Sequence, residues 1–438
     1  MELIIALCIS FIFFLVLAAS YKKIGINLSG EKTHPFALSV IIQFCIFSLP
    51  GVIIISFLGY SSARYYGISD ANRLTIGLWY VYSLVMYFLT FFILAGCFKF
   101  KNYSKYAGEP LRYSNNIIHI KVALFLSILL LAIKLFFSKK APIFFLLEGD
   151  FSGAYAARVD IQTNPQLYYI PYFSNLISLL LIFQFYFVFY FYIFADRKNW
   201  KMILFVMLSF CIAATECLYE TQKAPIIFLM FGALFIVYLR KNAIMKIAIP
   251  VAGVAFVVIL LQAIVSGSGL AEGFNSAADR FLLGQNQGFY HIINSIIPDS
   301  KYWFTNFYFV ERLGIQPARA DVDVIPYLNY VAGLDIVNVN SYYLGEAWSM
   351  LGYGGLLISP FIVAAAMFTF VKCLDLLIGF SPLFFIPYSI YLIPELRINQ
   401  SFTYFLYGKD FVFRTLMMFV LFALITGISS LFIKRKGI

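Results

Sequence analysis

Between Ser276 and Ser295, five residues recur on one stripe of a helical wheel: Arg280, Gly284, Gln287, His291 and Asn294. Phe281, Leu282, Phe289, Ile292, Ile293 and Ile296 fall opposite. The stripe offers a cation, an amide and an imidazole, with gaps at Gly284 and Gly288 where a ligand could approach. Imidazole is the commonest general acid–base group near neutral pH, which makes His291 the candidate base. The solvated face of a structural helix gives the same pattern, and a lone histidine is more often a hydrogen-bonded packing residue. The segment is too polar to span a bilayer and reads as an amphipathic helix lying on a membrane surface.

Cations form a second set, at Arg158, Lys223, Arg280, Arg312, Arg319, Arg397, Lys409 and Arg414. Guanidinium forks match phosphate oxygens, so Arg280 and Arg158 are the first candidates for holding a pyrophosphate. Lys223, Arg312 and Arg319 stand behind them as substrate-binding candidates, with Gln287 from the stripe. Ion pairing of Arg158 with Asp160 and of Arg312 with Glu311, or snorkelling, accounts for part of this set.

The third set is acidic. Glu346 opens a predicted span within Ser341-Tyr342-Tyr343-Leu344-Gly345-Glu346-Ala347. A first-turn carboxylate suits the helix dipole, and it also makes Glu346 a catalytic candidate beside His291, as is Asp321. Asp321 and Asp323 flank Val322, a spacing that is weak for a metal. Glu216 and Glu220 lie one turn apart before Lys223 and read as partners for it. His34, His119 and His291 lack metal-ligand spacing, so no metal or cofactor is expected.

Positioning falls to about eleven apolar stretches, each long enough to cross a bilayer as a helix. They cover residues 3–20, 36–58, 75–97, 117–137, 169–194, 202–218, 223–239, 245–265, 344–370, 374–393 and 411–433. With 62% hydrophobic and 12% charged residues, the chain cannot clothe a soluble fold. The runs are continuous rather than alternating, which excludes a barrel. The expected fold is therefore an all-α polytopic membrane protein, residues 1–438 forming one membrane domain. The first stretch is too long, and too uncharged at its start, for a signal peptide, and reads as a retained span. Gly379, Pro382 and Pro387 interrupt the tenth, which is expected to be broken or re-entrant.

Short basic loops stay in the cytoplasm. Lys22, Lys23 and Lys32 follow the first span; Lys99, Lys101, Lys105 and Arg112 the third; Arg197, Lys198 and Lys201 the fifth; Arg240, Lys241 and Lys246 the seventh; Lys434, Arg435 and Lys436 close the chain. The amino terminus is then external and the carboxyl terminus cytoplasmic. The segments 138–168, 266–343 and 394–410 lie outside, and the long loop 266–343 is expected to carry short amphipathic helices. His291 becomes the only external histidine. The net charge of +11 sits mainly in short loops facing anionic lipid, so nucleic acid is excluded as a partner. The six cysteines lie in or beside spans, and no disulfide framework is read from them.

Four features resemble the Wzy-type O-antigen and capsule polymerases, the oligosaccharide repeat unit polymerases. The first is Thr221-Gln222-Lys223-Ala224-Pro225, opening a span that ends Tyr238-Leu239-Arg240-Lys241. The second is Asp279-Arg280-Phe281 with Gly284-Gln285, Gly288-Phe289-Tyr290 and Pro298. The third is Leu344-Gly345-Glu346-Ala347 with Leu351-Gly352-Tyr353-Gly354-Gly355, continuing to Lys372 and Asp375. The fourth is the plan of many spans with one long external loop before the last few. Lys223 departs from the pattern, where a basic residue (commonly arginine) followed by glycine is expected.

The resemblance implies a GT-C-like, metal-independent enzyme of the bacterial inner membrane. A growing glycan on undecaprenyl pyrophosphate would pass to a hydroxyl of an acceptor repeat unit on the same lipid, with arginines holding the pyrophosphate. A chain-length regulator would be a possible protein partner. An O-antigen ligase of similar architecture, or a lipid-linked oligosaccharide flippase or transporter, remains an alternative. A membrane acyltransferase would want a histidine–aspartate box, and His34 and His119 have none. A dolichol-type transferase would want acids in the first external loop, where residues 59–74 offer only Asp70.

Overall fold

The computed structural model describes residues 34–40, 43–44, 48–101, 103, 105, 111–137, 141–163, 173–220, 224–241, 270–305, 307, 310, 313–315, 318–332, 339–392, 396 and 398–435. Among them the protein is all-α, with no β-strand. In chain order the elements used below are α1 Pro35–Val40, α2 Leu49–Val52, α3 Asp70–Cys97, α4 Tyr113–Phe137, α5 Phe151–Thr163, α6 Phe173–Phe194, α7 Trp200–Leu218 and α8 Ala224–Lys241. They continue as α9 Leu270–Ala278, α10 Gln287–Ser295, α11 Ala320–Asp323, α12 Ile325–Ala332, α13 Tyr342–Leu351, α14 Tyr353–Phe380, α15 Pro382–Leu392, α16 Phe402–Tyr407 and α17 Lys409–Arg435.

Six of these helices (α3, α4, α6, α7, α14 and α17) are long and apolar enough to cross a membrane, which makes the chain a multi-pass membrane protein. Five of them match the expected spans 75–97, 117–137, 169–194, 202–218 and 411–433 closely. Their starts have local causes: Ser69 accepts the Asn72 N–H ahead of α3, and Asn199 caps α7 through the Met202 N–H. α6 is the central helix, packed against α4, α7, α8 and α15. Aromatic rings cement the core, with Phe187 stacked on Phe384 at 4.6 Å and Phe370 on Phe411 at 4.3 Å.

Other expected spans differ. Residues 3–20 and 245–265 lie outside the described residues. Residues 36–58 are helical where described, with a wide π turn over Ile53–Phe57. The apolar part of α8, Pro225–Arg240, is shorter than a span. The stretch 344–370 is not one helix: Gly352, at φ 58°, separates the buried α13 from α14. The spanning helix starts at Tyr353 and runs to Phe380, across the boundary expected near residue 370. The tenth stretch shrinks to the eleven residues of α15, which begins at Pro382, a residue suited to a first helical turn.

Three of the basic clusters and Lys372 meet at one end of the bundle. The Leu111 N–H donates to Phe194 O at 2.9 Å, Arg240 lies over the Phe194 ring, and Lys372 Nζ donates to Lys99 O at 2.6 Å. The loop before α3, together with α10 and α13, gathers at the opposite end.

Candidate functional site

The segment 276–295 is not one surface helix. After α9 the backbone widens into a π turn over Asp279–Leu283, turns at Gly284–Asn286 and resumes as α10. Nor is its polar stripe a solvated face: in α10 Gln287 and His291 are as buried as Phe289 and Ile292. The cause is that α10 packs on α13 with one side and on the loop before α3 with another. Gly345 of α13 packs on Phe289, and Gly288 lets α10 approach the backbone just ahead of α13, since a Cβ there would stand 2.2 Å from Asn340 O.

The loop before α3 supplies what covers the stripe. Ser62 accepts the Arg64 N–H, and Tyr65 is sunk beneath, its hydroxyl donating to Leu283 O at 2.6 Å. Arg64 then faces the stripe twice. Its side chain donates from Nε to Asp279 Oδ2 at 2.6 Å and from Nη1 to Gln287 Oε1 at 3.2 Å. Its carbonyl oxygen stands 2.8 Å from His291 Nε2. A carbonyl only accepts, so Nε2 carries the proton and Nδ1 is the basic nitrogen. Burial holds the His291 pKa below the usual imidazole value against the opposing bond to Arg64 O, with a smaller push from the Arg73 charge, so the ring is a neutral base at pH 7.

Arg280 sits at the exposed rim of this group. Surrounding protein, then the charges of Arg158 and Arg64, lower its pKa. Arg158 is half-buried on α5, a helix begun by Asp150, whose carboxylate accepts the Gly153 N–H at 2.8 Å. Neither Arg158 nor Arg280 has an ion pair among the described residues. Arg73, at the start of α3, donates from Nη2 to Tyr65 O at 2.9 Å and pairs with Asp70 at 3.4 Å. Arg64 and Arg73 thus lie beside His291, and Arg280 and Arg158 extend the group outward from Arg64. The sequence reading missed Arg64 and Arg73, although both lie in or at the edge of the loop it places outside.

Glu346 and Arg319 belong to a second group. Gly345 packs on Phe289, and Glu346, the next residue of α13, faces α16 instead. Its carboxylate accepts the Thr403 N–H at 2.7 Å and the Thr403 hydroxyl at 3.1 Å. Burial drives its pKa up to about 7, against the two Thr403 bonds; Asp321 raises it further and Arg319 lowers it. Arg319 forks onto Asp321, with Nη2 to Oδ2 at 2.6 Å and Nε to Oδ1 at 3.3 Å. Glu346 therefore does not open a spanning helix, and no hydrogen bond links it to His291 among the described residues. Lys223, Arg312 and Arg397 lie outside the described residues.

Two further pairs correct the sequence reading. Glu216 bonds Lys134 of α4, with both oxygens 2.8 Å from Nζ. His34 does have an acidic partner, Asp375, 3.1 Å from its Nε2 and 341 residues away. The Phe36 N–H occupies His34 Nδ1 at 3.1 Å, so both ring nitrogens are engaged and this histidine is unsuited to catalysis. Among the described residues no three His, Cys, Asp or Glu side chains gather as metal ligands. No family profile, curated protein or solved structure matches the chain.

Proposed function

We propose that this chain is a GT-C-like oligosaccharide repeat unit polymerase of the Wzy type, working at the outer face of the bacterial inner membrane. Its substrates are glycans on undecaprenyl pyrophosphate. One observation carries the reading: Arg64, Arg158 and Arg280 come from distant segments, and after burial it is the charges of Arg158 and Arg64 that disfavour the charge of Arg280. Arg64 already holds Asp279, while Arg158 and Arg280 have no ion pair among the described residues, which leaves their charge for an anion. A pyrophosphate leaving group needs that neutralisation more than it needs protonation. The acceptor hydroxyl attacks the anomeric carbon, the bond to pyrophosphate breaks, and His291 takes the hydroxyl proton. The basic end of the bundle then faces the cytoplasm and the arginine end faces outward.

The transporter alternative draws on the buried Lys134–Glu216 pair. That pair lies within a turn of the ends of α4 and α7, at the membrane edge rather than its midplane.

The test is polymerisation of undecaprenyl-pyrophosphate-linked repeat units by purified protein. Arg280→Ala is expected to lower the rate by about 100-fold or more. Retention of full-length polymer by that variant would remove Arg280 from the site. Deleting the gene is expected to leave single repeat units on lipid; accumulation of lipid-linked polymer would instead make the protein a ligase.

A further inference from the structure

We propose that the described part of residues 303–315 is a foot that rests in the lipid leaflet, at the end of the bundle opposite the basic clusters. Trp303, Phe304, Leu313 and Ile315 are all exposed there, Leu313 at 77%. A single exposed apolar side chain is ordinary, but several large ones in so short a segment mark a contact surface.

The spanning helices fix the level of this segment. Trp303 Nε1 donates to Met350 O at 2.6 Å, in the last turn of α13 and just ahead of Tyr353, where α14 starts. The Tyr407 hydroxyl donates to Trp303 O at 2.8 Å, just ahead of Lys409, where α17 starts. The Phe307 and Tyr407 rings meet at 5.0 Å. The segment therefore stands where two spanning helices enter the hydrocarbon. Tyr353, Leu357 and Phe361 are exposed along one face of α14, a stripe that begins shortly after Met350.

The polar groups of the segment are turned inward. Its backbone is a chain of turns: the Phe307 N–H donates to Phe304 O, that of Val310 to Phe307 O, and those of Leu313 and Ile315 to Val310 O. Gly314, at φ 77°, makes the turn between the two exposed aliphatic residues. The one donor of the Trp303 side chain is engaged by Met350 O, so the open face of its indole is apolar. Backbone satisfied from within and donors already engaged are what lipid requires. Asp299, Ser300 and Lys301 are exposed just ahead of the segment. They hold it at the headgroup boundary, about 5–10 Å deep, rather than across the bilayer, and keep Ile297 open to aqueous reagents.

The occupant is lipid because the surface continues one that already faces lipid on α14. This inference stands on the multi-pass architecture alone and is independent of the polymerase reading. It has a consequence for the candidate site. Trp348 Nε1 donates to Ile296 O, the cap of α10, and Met350 of the same helix holds Trp303. The foot thereby sets the depth of α10, and with it His291, relative to the leaflet.

The test uses full-length protein in nanodiscs of phosphatidylcholine, either plain or dibrominated near the headgroup end of one acyl chain. The chain has four tryptophans, so the Trp303 emission is taken as the difference between the wild type and Trp303→Phe. Bromolipid should quench that difference by about twofold or more, and aqueous iodide should leave it nearly unchanged. Quenching by iodide but not by bromolipid would put the segment in water and overturn the inference. Shielding from both would mean cover by protein, such as a second copy of the chain, and overturns it as well. Leu313→Trp keeps the bond to Met350 O and adds an emission at an exposed turn, read against the wild type. It should keep the melting temperature in detergent and show the same bromolipid quenching. An added emission that only iodide reaches would take Leu313 out of the leaflet and sink the foot.

Discussion

Glu346 joins a titration to stability. Its carboxyl is raised to about 7 in the folded protein, mainly by burial. A group with a raised folded pKa contributes stability that is complete below its unfolded value and is lost as pH rises through the folded one. The expected loss approaches about 3 kcal/mol between roughly pH 4.5 and 8. Glu346→Gln keeps an acceptor for the Thr403 N–H and removes the titration. Its melting temperature should therefore fall less than that of the wild type across that range, and parallel curves would reject the assignment. The period of the sequence brought out Gln287 and His291, because 3.6-residue spacing is a local property. Their burial was not legible, since a helical wheel cannot say what covers a polar stripe. Arg64 was within reach of the reasoning applied to Arg158. Thr403 carries no signal at all: it matters only because α16 folds back on α13.

At the scale of elements, apolar length predicted the isolated spans well, and failed where an apolar run held a turn. Gly352 lies in such a run, and its left-handed backbone lets α13 stop and α14 leave in a new direction. Gly352→Ala is expected to cost about 1 kcal/mol or more in unfolding free energy through strain at that φ. Gly288→Ala must displace the Asn340 backbone, and should cost about 1–3 kcal/mol with loss of activity. Lys134 and Glu216 tie α4 to α7, each side chain 6% exposed. Lys134→Met strands a buried carboxylate and is expected to cost about 3–5 kcal/mol, most of which Lys134→Met/Glu216→Leu should restore. Unfolding of the four proteins in detergent completes the cycle, and additive losses would show that the pair is uncoupled.

For the whole molecule, the counterpart of the charge pattern is an orientation. Ile297 is exposed beside α10, and Lys201 is exposed at the basic end. In a background free of the native thiols, Ile297→Cys should react with an impermeant maleimide on intact cells, and Lys201→Cys only after permeabilisation. The reverse pattern would invert the topology and remove the candidate site from any external substrate.

The contact between His34 and Asp375 has a consequence for biosynthesis. Gln43 bonds Leu396 O and Ile398 N–H, and Ser39 bonds Leu396 O, so the early helical segment is closed by residues made more than 340 positions later. At a ribosomal pace of about 5–20 residues per second, His34 waits roughly 20–70 s inside or beside the bilayer before its aspartate is made. Insertion therefore cannot finish domain by domain from the front. In the nascent chain the imidazole of His34 and the amide of Gln43 stay without these partners until residues 375–398 are made.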